Sequence, residues 1–266
     1  MSYLDIPLFR LGIVLALVLA VSLAVSLRAR LGLERALIVG VLRAAAQLLA
    51  VGYLLVVLFA NERIEWVALM LAVMLGVAAW TSAQRVESGP PVRTLAPRTL
   101  IAILTGSAVA LVPVFSFVIT PEPFFEARYV IPISGMIVAN AMNVVAQVNE
   151  RMFASAHAER ATIEQWLALG ASPEQAMASQ SRSALRAALI PTLNGLLTVG
   201  LVALPGMMTG QIVSGTAPDH AVRYQLVILY QLVIVAAVSG LTATHLARRI
   251  LFTDRAQLRG FEPPKD

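Results

Sequence analysis

The sequence has no cysteine, three histidines and a single lysine, and these shortages exclude several kinds of chemistry. Without cysteine the chain forms no disulfide, no thiolate metal site and no thiol nucleophile. A phosphate-binding loop of the P-loop type needs a lysine that reaches the nucleotide phosphates, and the one lysine is Lys265 near the C-terminal end. The chain is therefore not itself a P-loop ATPase.

Charged residues are also scarce, at 13% of the chain, whereas 58% of its residues are hydrophobic. The mean hydropathy is +0.79, and a water-soluble domain carries about a quarter charged residues. About seven apolar runs are each long enough to cross roughly 30 Å of hydrocarbon as a helix. They start near Leu8, Ala36, Ile64, Leu100, Val130, Leu185 and Leu226. We therefore predict an all-α integral membrane protein in contact with lipid.

The net charge of +5 is distributed in a way that indicates a membrane and not a nucleic-acid partner. Arginines are frequent after the first, third and fifth runs and in the C-terminal tail, and few lie in the other loops. The frequent set is Arg28, Arg30, Arg35, Arg85, Arg93, Arg98, Arg151, Arg160, Arg182, Arg186, Arg248, Arg249, Arg255 and Arg259. Because positive charge stays in the cytoplasm, we predict an outside N-terminus and a cytoplasmic C-terminus.

The whole chain, 1–266, is predicted to be a single transmembrane domain, with one long cytoplasmic loop at about residues 149–184. Within that loop, Ala161–Leu169 reads as a short amphipathic helix that stops at Gly170, the preferred residue just past a helix end. Ser172, Pro173 and Gln175 then form a capping-box pattern that starts a second helix. The loop is expected to be a helix, a sharp turn and another helix that runs into the sixth span.

Arg43 and Gln47 lie four residues apart on one face of the second apolar run. An arginine at mid-membrane costs roughly 2.5 to 3.5 kcal/mol, so it suggests a functional contact. The alternative is that Arg43, only about 10 Å from the cytoplasmic end, extends its side chain to the interface.

Asn140, Asn143 and Gln147 form a stripe on one face of the fifth run, which Glu150 continues towards the cytoplasm. Such a stripe faces either a water-filled path or a neighbouring helix. Hydrogen bonds between helices explain it as well as ligand contact does.

The stretch from Val199 to Gly215 contains Pro205, Gly206 and Gly210, so a regular helix is difficult to maintain there. Irregular backbone at membrane depth occurs inside protein or beside a cavity. Met207 and Met208 are either soft ligands or gate residues, or they fill space in the core.

Several segments resemble the FetB-like family of ABC transporter permeases, bacterial membrane subunits linked to iron export. They are RAAAQLLAVGYLL (Arg43 to Leu55), ISGMIVANAMN (Ile133 to Asn143), IEQWLALGAS (Ile163 to Ser172), RAALIPTLN (Arg186 to Asn194), LPGMMTGQIVSG (Leu204 to Gly215) and Tyr224-Gln225. They extend through most of the chain, and the proline-glycine-methionine stretch is highly specific to that family.

The resemblance implies a non-enzymatic permease that works with a separate ATP-binding cassette ATPase, which holds the ATP and magnesium. This chain itself is then expected to carry no cofactor. The long loop resembles the one with which importer permeases contact their ATPases, although Gln165 and Trp166 replace two alanines of that pattern. The residues implied in coupling are Glu164, Trp166, Leu169, Gly170 and Ala171. The resemblance also implies a multi-pass protein of the bacterial inner membrane, and we expect a permease homodimer with two ATPases.

The transported solute is predicted less sharply, because relatives of that family are associated with iron, with aluminium tolerance and with nucleotide sugars. Iron or another small solute is expected to be exported, and no metal ligands can be assigned from the sequence. The alternatives are an exporter of a nucleotide sugar or other anionic solute, and a stand-alone secondary transporter or channel. The expected translocation path comprises Arg43, Gln47, Asn140, Asn143, Gln147, Pro205, Gly206, Met207, Met208 and Gln211.

Overall fold

The computed structural model describes residues 7–30, 32–60, 63–119, 121 and 123–260. These residues form helices joined mostly by short loops, so the predicted all-α class is confirmed. The chain divides into two compact units, Met1–Glu62 and Arg63–Asp266.

The described residues of the first unit form two long apolar helices, α1 (Leu8–Ala29) and α2 (Glu34–Ala60), which contact each other. Their connection is held by Ser26, whose hydroxyl donates to the Glu34 carboxylate at 2.7 Å and accepts the Leu33 N–H at 3.3 Å. The hydrogen bond from Ser26 lowers the pKa of the Glu34 carboxyl below its ordinary value.

The part of the second unit that the structure describes forms eight further helices. They are α3 (Ile64–Gln84), α4 (Val92–Pro113), α5 (Ala127–Ala158), α6 (Arg160–Ala168), α7 (Pro173–Ala176), α8 (Ala178–Thr198), α9 (Gly206–Val213) and α10 (Pro218–Leu251). A π-helical segment, Val114–Val118, directly continues α4. The fourth and last spans were predicted to start near Leu100 and Leu226, which lie inside α4 and α10. Each of these helices begins eight residues before its predicted apolar run.

The centre of the second unit is formed by α4, α5 and α10, which pack against one another, with α3 against α4 and α5 and with α8 against α5 and α10. Small residues allow these helices to approach closely, as is common between membrane helices. A Cβ added at Gly106 of α4 would lie 2.7 Å from the Ser239 Cβ of α10, and one at Gly240 of α10 would lie 2.6 Å from the Leu185 Cδ1 of α8.

Among residues 7–260, apart from the few that the structure does not describe, six helical stretches are long and apolar enough to cross a membrane. They are Phe9–Ala29, Leu37–Ala60, Ile64–Gln84, Val92–Val118, Ala127–Ala158 and Pro218–Leu251. The predicted span that starts near Leu185 is instead divided between α8 and α9. Two features account for this: the first half of α8 is polar (ASQSRSALR), and the helix stops at Thr198, before the Pro205-Gly206 pair.

Candidate functional site

The loop between α5 and α8 has the predicted form, and its middle is a tightly closed turn. Gly170 has a φ of +89°. Its N–H bonds to the Leu167 carbonyl at 3.0 Å, and the Ala171 N–H bonds to the Trp166 carbonyl at 3.0 Å, which is the Schellman arrangement. We refer to residues 160–176, which comprise α6, this turn and α7, as the docking loop, after the role that the sequence analysis expects of it.

The second helix of the docking loop starts with the predicted capping box. The Gln175 N–H donates to the Ser172 hydroxyl at 3.3 Å, and the Ser172 N–H donates to the Gln175 side chain at 2.9 Å, with Pro173 at the first helical position. Because the N–H groups of Ser172 and Gln175, which have no acceptor within the helix, are both paired with side chains, the start of α7 is fixed immediately after the turn.

One face of α6 is anchored and the other is exposed. Ile163 is fully buried in the core of the second unit. Glu159, which precedes α6, accepts a 2.7 Å hydrogen bond from the Gln180 amide of α8. Trp166 on α6 is 55% exposed, and Leu169, which directly follows the helix, is 81% exposed. The loop therefore presents two large apolar side chains, one on a rigidly mounted helix and one at its end.

The remaining residues that the sequence analysis predicts for coupling are Glu164 and Ala171. Glu164 forms an ion pair with Arg160, with 2.8 Å between the Glu164 Oε1 and the Arg160 Nε. Because both side chains are partly exposed, this pair contributes less than about 1 kcal/mol to stability. Ala171 follows the Gly170 turn and lines an open cavity of about 530 Å³ together with Glu164.

The C-terminal segment also lines that cavity, and the sequence analysis did not predict that it lies next to the docking loop. Arg255, Ala256, Gln257 and Leu258 line the cavity. The segment folds back on itself because the Arg259 N–H bonds to the Leu251 carbonyl at 2.7 Å and the Thr253 N–H to the Gln257 carbonyl at 2.9 Å. No local sequence signal indicates this contact.

The polar stripe of α5 makes hydrogen bonds to neighbouring elements. The Asn140 amide donates to the Leu232 carbonyl of α10 at 2.9 Å, and its oxygen accepts from the Thr192 hydroxyl of α8 at 3.3 Å. The Asn143 oxygen accepts from Arg85 at 2.8 Å. Gln147 is half-buried.

Glu150, the last residue of this stripe on α5, contacts the connection between α3 and α4. Its carboxylate accepts from the Glu87 N–H at 2.8 Å and from the Ser88 hydroxyl at 3.4 Å. The stripe thus connects α5 to α8, to α10 and to the residues that directly follow α3.

The chain between α8 and α9, Val199–Pro205, is not helical, as the sequence predicts. The same prediction was wrong for Gly206–Val213, which form the regular helix α9 because the proline lies at the cap position and not inside the helix. Gly200 has a φ of +82° and donates its N–H to the Ala203 carbonyl at 3.0 Å. We refer to residues 199–205 as the broken segment. It leads directly into α9, whose first residue is Gly206 and whose cap position is Pro205.

The residues that follow the broken segment have different surroundings. Met207 packs against the buried cluster of Val114, Ile119, Ile133 and Ile228. Met208 lines a cavity beside α10, and the Gln211 side-chain oxygen is buried without a hydrogen-bond partner among the described residues.

The predicted path residues belong to both units of the chain. Arg43 and Gln47 are exposed on α2, in the first unit. In the second unit, α10 is the shared neighbour: it meets Asn140 at Leu232 and borders the broken segment at Gln225 and Leu229. Among the described residues, no three histidine, aspartate or glutamate side chains form a group that could hold a metal ion.

Comparison with known proteins identifies the family. Residues 8–252 match the family described as "Uncharacterised protein family (UPF0014)". The chain belongs to this family. That assignment covers all the helices of both units, and it makes the chain a membrane protein with multiple helices.

Three relatives in this family are similar along most of their length. YjkA of Bacillus subtilis, a UPF0014 membrane protein, is 35% identical over 261 residues, which cover 97% of this chain and 99% of YjkA. The "Probable iron export permease protein FetB" of Escherichia coli is 35% identical over 231 residues, 87% of each chain. The protein named Aluminum sensitive 3 of Arabidopsis thaliana is 36% identical over 229 residues, 86% of this chain and 82% of its own.

These matches confirm the resemblance to the FetB-like family. No solved structure matches the chain significantly.

Proposed function

We propose that this chain is the membrane permease subunit of an ATP-binding cassette exporter in the bacterial inner membrane. It exports a small solute, iron or a complex of iron, with energy from ATP hydrolysis on a separate ATPase subunit. ATP and magnesium bind to that partner. Two permease chains pair with two ATPases, and the N-terminus of each permease lies outside.

The docking loop is the observation that carries this proposal. A coupling element must be stiff enough to pass a rigid-body motion from one protein to another. Here α6 is fixed by the buried Ile163 and by the Glu159–Gln180 hydrogen bond, and Trp166 and Leu169 are left exposed. Large apolar side chains on a rigid element are suitable anchors for a protein partner.

The other support comes from the sequence and from the relatives. The chain has no phosphate-binding loop, so energy from ATP must come from another subunit. The relative FetB is named as an iron export permease, and another is named for sensitivity to aluminium. The cargo assignment to iron rests on the first of these names alone.

Copurification with an ATPase tests the proposal. The tagged full chain, purified from the cells that naturally produce it, is expected to retain a cassette ATPase through purification. Leu169→Asp should reduce the retained ATPase at least about tenfold, because a charge at an apolar anchor costs more than the 1.4 kcal/mol that corresponds to a factor of ten.

The matched control is Leu33→Asp, which places the same charge at another exposed leucine on the predicted cytoplasmic side. It should leave the ATPase bound. If the wild-type chain retains no ATPase, or if both variants retain it equally, the docking loop does not have the proposed role.

A further inference from the structure

The open cavity of about 530 Å³ beside the docking loop is lined by two parts of the chain. One part is the docking loop itself, and the other is the C-terminal segment, residues 251–260, which contributes residues 255–258. The proposed function gives a role to the docking loop alone. The C-terminal segment is therefore a neighbouring surface to which no partner has been assigned.

The C-terminal segment is anchored at both ends of its turn. Phe252 and Leu258 are buried in the main core cluster of the second unit and pair with each other as an antiparallel bridge. Between them, the Gln257 N–H donates to the Thr253 hydroxyl at 3.1 Å. The turn holds Ala256 at a φ of +58°, a conformation that is uncommon for residues other than glycine. Exposed side chains on such a turn are held in place, which lowers the entropy lost when a partner binds.

Arg160 connects the docking loop to the C-terminal segment. Its Nε lies 2.8 Å from the Glu164 Oε1, and its Nη1 would lie 3.1 Å from a Cβ added at Gly260. The charge of Arg160 is thus matched within the docking loop, while its guanidinium packs against the backbone of the C-terminal segment. The two parts form one continuous surface around the cavity.

Arg255 supplies the unmatched charge of this surface. The cavity lining contains two arginines and one glutamate, and Arg160 is already paired with Glu164. Arg255 is exposed, and its side chain forms no ion pair or hydrogen bond with any residue that the structure describes. Asp254 is also exposed but does not line the cavity. A partner in the cavity therefore gains most from a carboxylate, which an arginine can bind with two parallel hydrogen bonds.

The position of the cavity along α5 indicates a soluble protein partner and not a lipid. The apolar run of α5 ends near Val148, and the helix continues to Ala158, about 15 Å further at 1.5 Å per residue. The headgroup layer of a bilayer is only about 5 to 8 Å thick on each side. Because the docking loop begins beyond Ala158, the cavity lies outside the reach of the headgroups.

We infer that this cavity, which we call the Arg255 cavity, receives an acidic segment of the cassette ATPase. A carboxylate of that segment accepts hydrogen bonds from the Arg255 guanidinium, and Trp166 and Leu169 of the docking loop provide the apolar contact. Tryptophan and arginine are among the residues that contribute most to protein interfaces. The inference rests on the proposed function, because it assigns a second contact and a partner chemistry to the same interface.

Cross-linking from the C-terminal segment tests this contact. Because the chain has no cysteine, Gln257→Cys introduces a single thiol, at an exposed position that lines the cavity. After reaction with a photoreactive maleimide in the native membranes, this variant is expected to form an adduct with a protein that carries a phosphate-binding loop. Mass spectrometry of the adduct should place the cross-link beside aspartate or glutamate residues. Arg35→Cys is the control, since Arg35 is exposed at the start of α2 and does not line the cavity, and it should form no such adduct.

Charge reversal at Arg255 is the second test. Arg255→Glu should lower the amount of ATPase retained through purification roughly three- to tenfold, because an attraction is replaced by a repulsion. Arg255→Lys should retain more ATPase than Arg255→Glu, since the charge is kept, and the difference between them should shrink at high salt. Arg35→Glu, the same reversal at the control position, should retain the wild-type amount.

Four results would overturn the contact while the exporter remains. They are wild-type ATPase retention in Arg255→Glu, equal cross-linking from positions 257 and 35, an adduct from position 257 that is confined to the permease chain or to lipid, and a cross-link beside a basic segment of the ATPase. The proposed function fails differently. In that case the wild-type chain itself retains no ATPase.

Discussion

Gly170→Val is expected to uncouple ATP hydrolysis from transport while the protein remains folded and inserted. Gly170 has a φ of +89°, a conformation that a β-branched residue adopts only at a cost of about 1 to 3 kcal/mol. An added Cβ would have no atom within 4 Å, so the effect comes from the backbone and not from a steric clash. The turn between α6 and α7 must therefore rearrange, and Trp166 and Leu169 change direction.

The measurement is the ratio of solute transported to ATP hydrolysed in proteoliposomes that contain the permease and its ATPase. We expect this ratio to fall severalfold, because ATP hydrolysis continues on the partner while less of its motion reaches the permease. Gly32→Val is the control, because Gly32 also has a positive φ of +67° with open space around it but lies in the α1–α2 connection. Gly170→Asn should retain more coupling than Gly170→Val, since asparagine tolerates this backbone region. Normal coupling in Gly170→Val would show that the turn does not transmit motion.

Gly106→Leu is expected to have the largest effect on stability. Even a single Cβ at Gly106 would lie 2.7 Å from the Ser239 Cβ and 2.9 Å from the Ser239 backbone nitrogen. Because backbone atoms cannot turn aside as a side chain can, α4 and α10 must separate. Overpacking typically costs 1 to 3 kcal/mol, and we expect about the upper end of that range or more for leucine at this crossing.

Thermal unfolding in detergent measures this effect, with the size-exclusion profile as a second readout. Gly76→Leu is the control, because Gly76 of α3 has no atom within 4 Å of an added Cβ. That variant should unfold at or slightly above the wild-type temperature, since leucine is the better helix former. Equal stability of the Gly106 and Gly76 variants would contradict the close packing of α4 on α10.

Local features of the sequence predicted the parts of the fold that depend on neighbouring residues. The apolar runs located six membrane-length helices because hydrophobic length is a local property. The Ser172 capping box, the positive φ of Gly170 and the loss of helix before Pro205 were all predicted for the same reason.

Features that depend on tertiary contact could not be predicted in this way. A glutamine in an apolar run gives no sign of which neighbour it contacts. The position of Gln225 beside the broken segment follows only from the packing of α9 on α10. The Glu159–Gln180 hydrogen bond and the placement of Arg255 beside Glu164 likewise join residues that are far apart in the sequence. The polar stripe of α5 was predicted as a stripe, but its partners on α8 and α10 required the packed structure.

Transport into inside-out membrane vesicles tests the central claim, ATP-driven export, most directly. In these vesicles the cytoplasmic face is outward, so an exporter accumulates its solute inside. With the permease and its ATPase both present, we predict ATP-dependent accumulation of ferrous iron or of an iron chelate, and no accumulation of a nucleotide sugar. Accumulation that does not require ATP or the ATPase would contradict the account and indicate a channel or secondary transporter, and ATP-dependent accumulation of the sugar alone would contradict the assignment to iron.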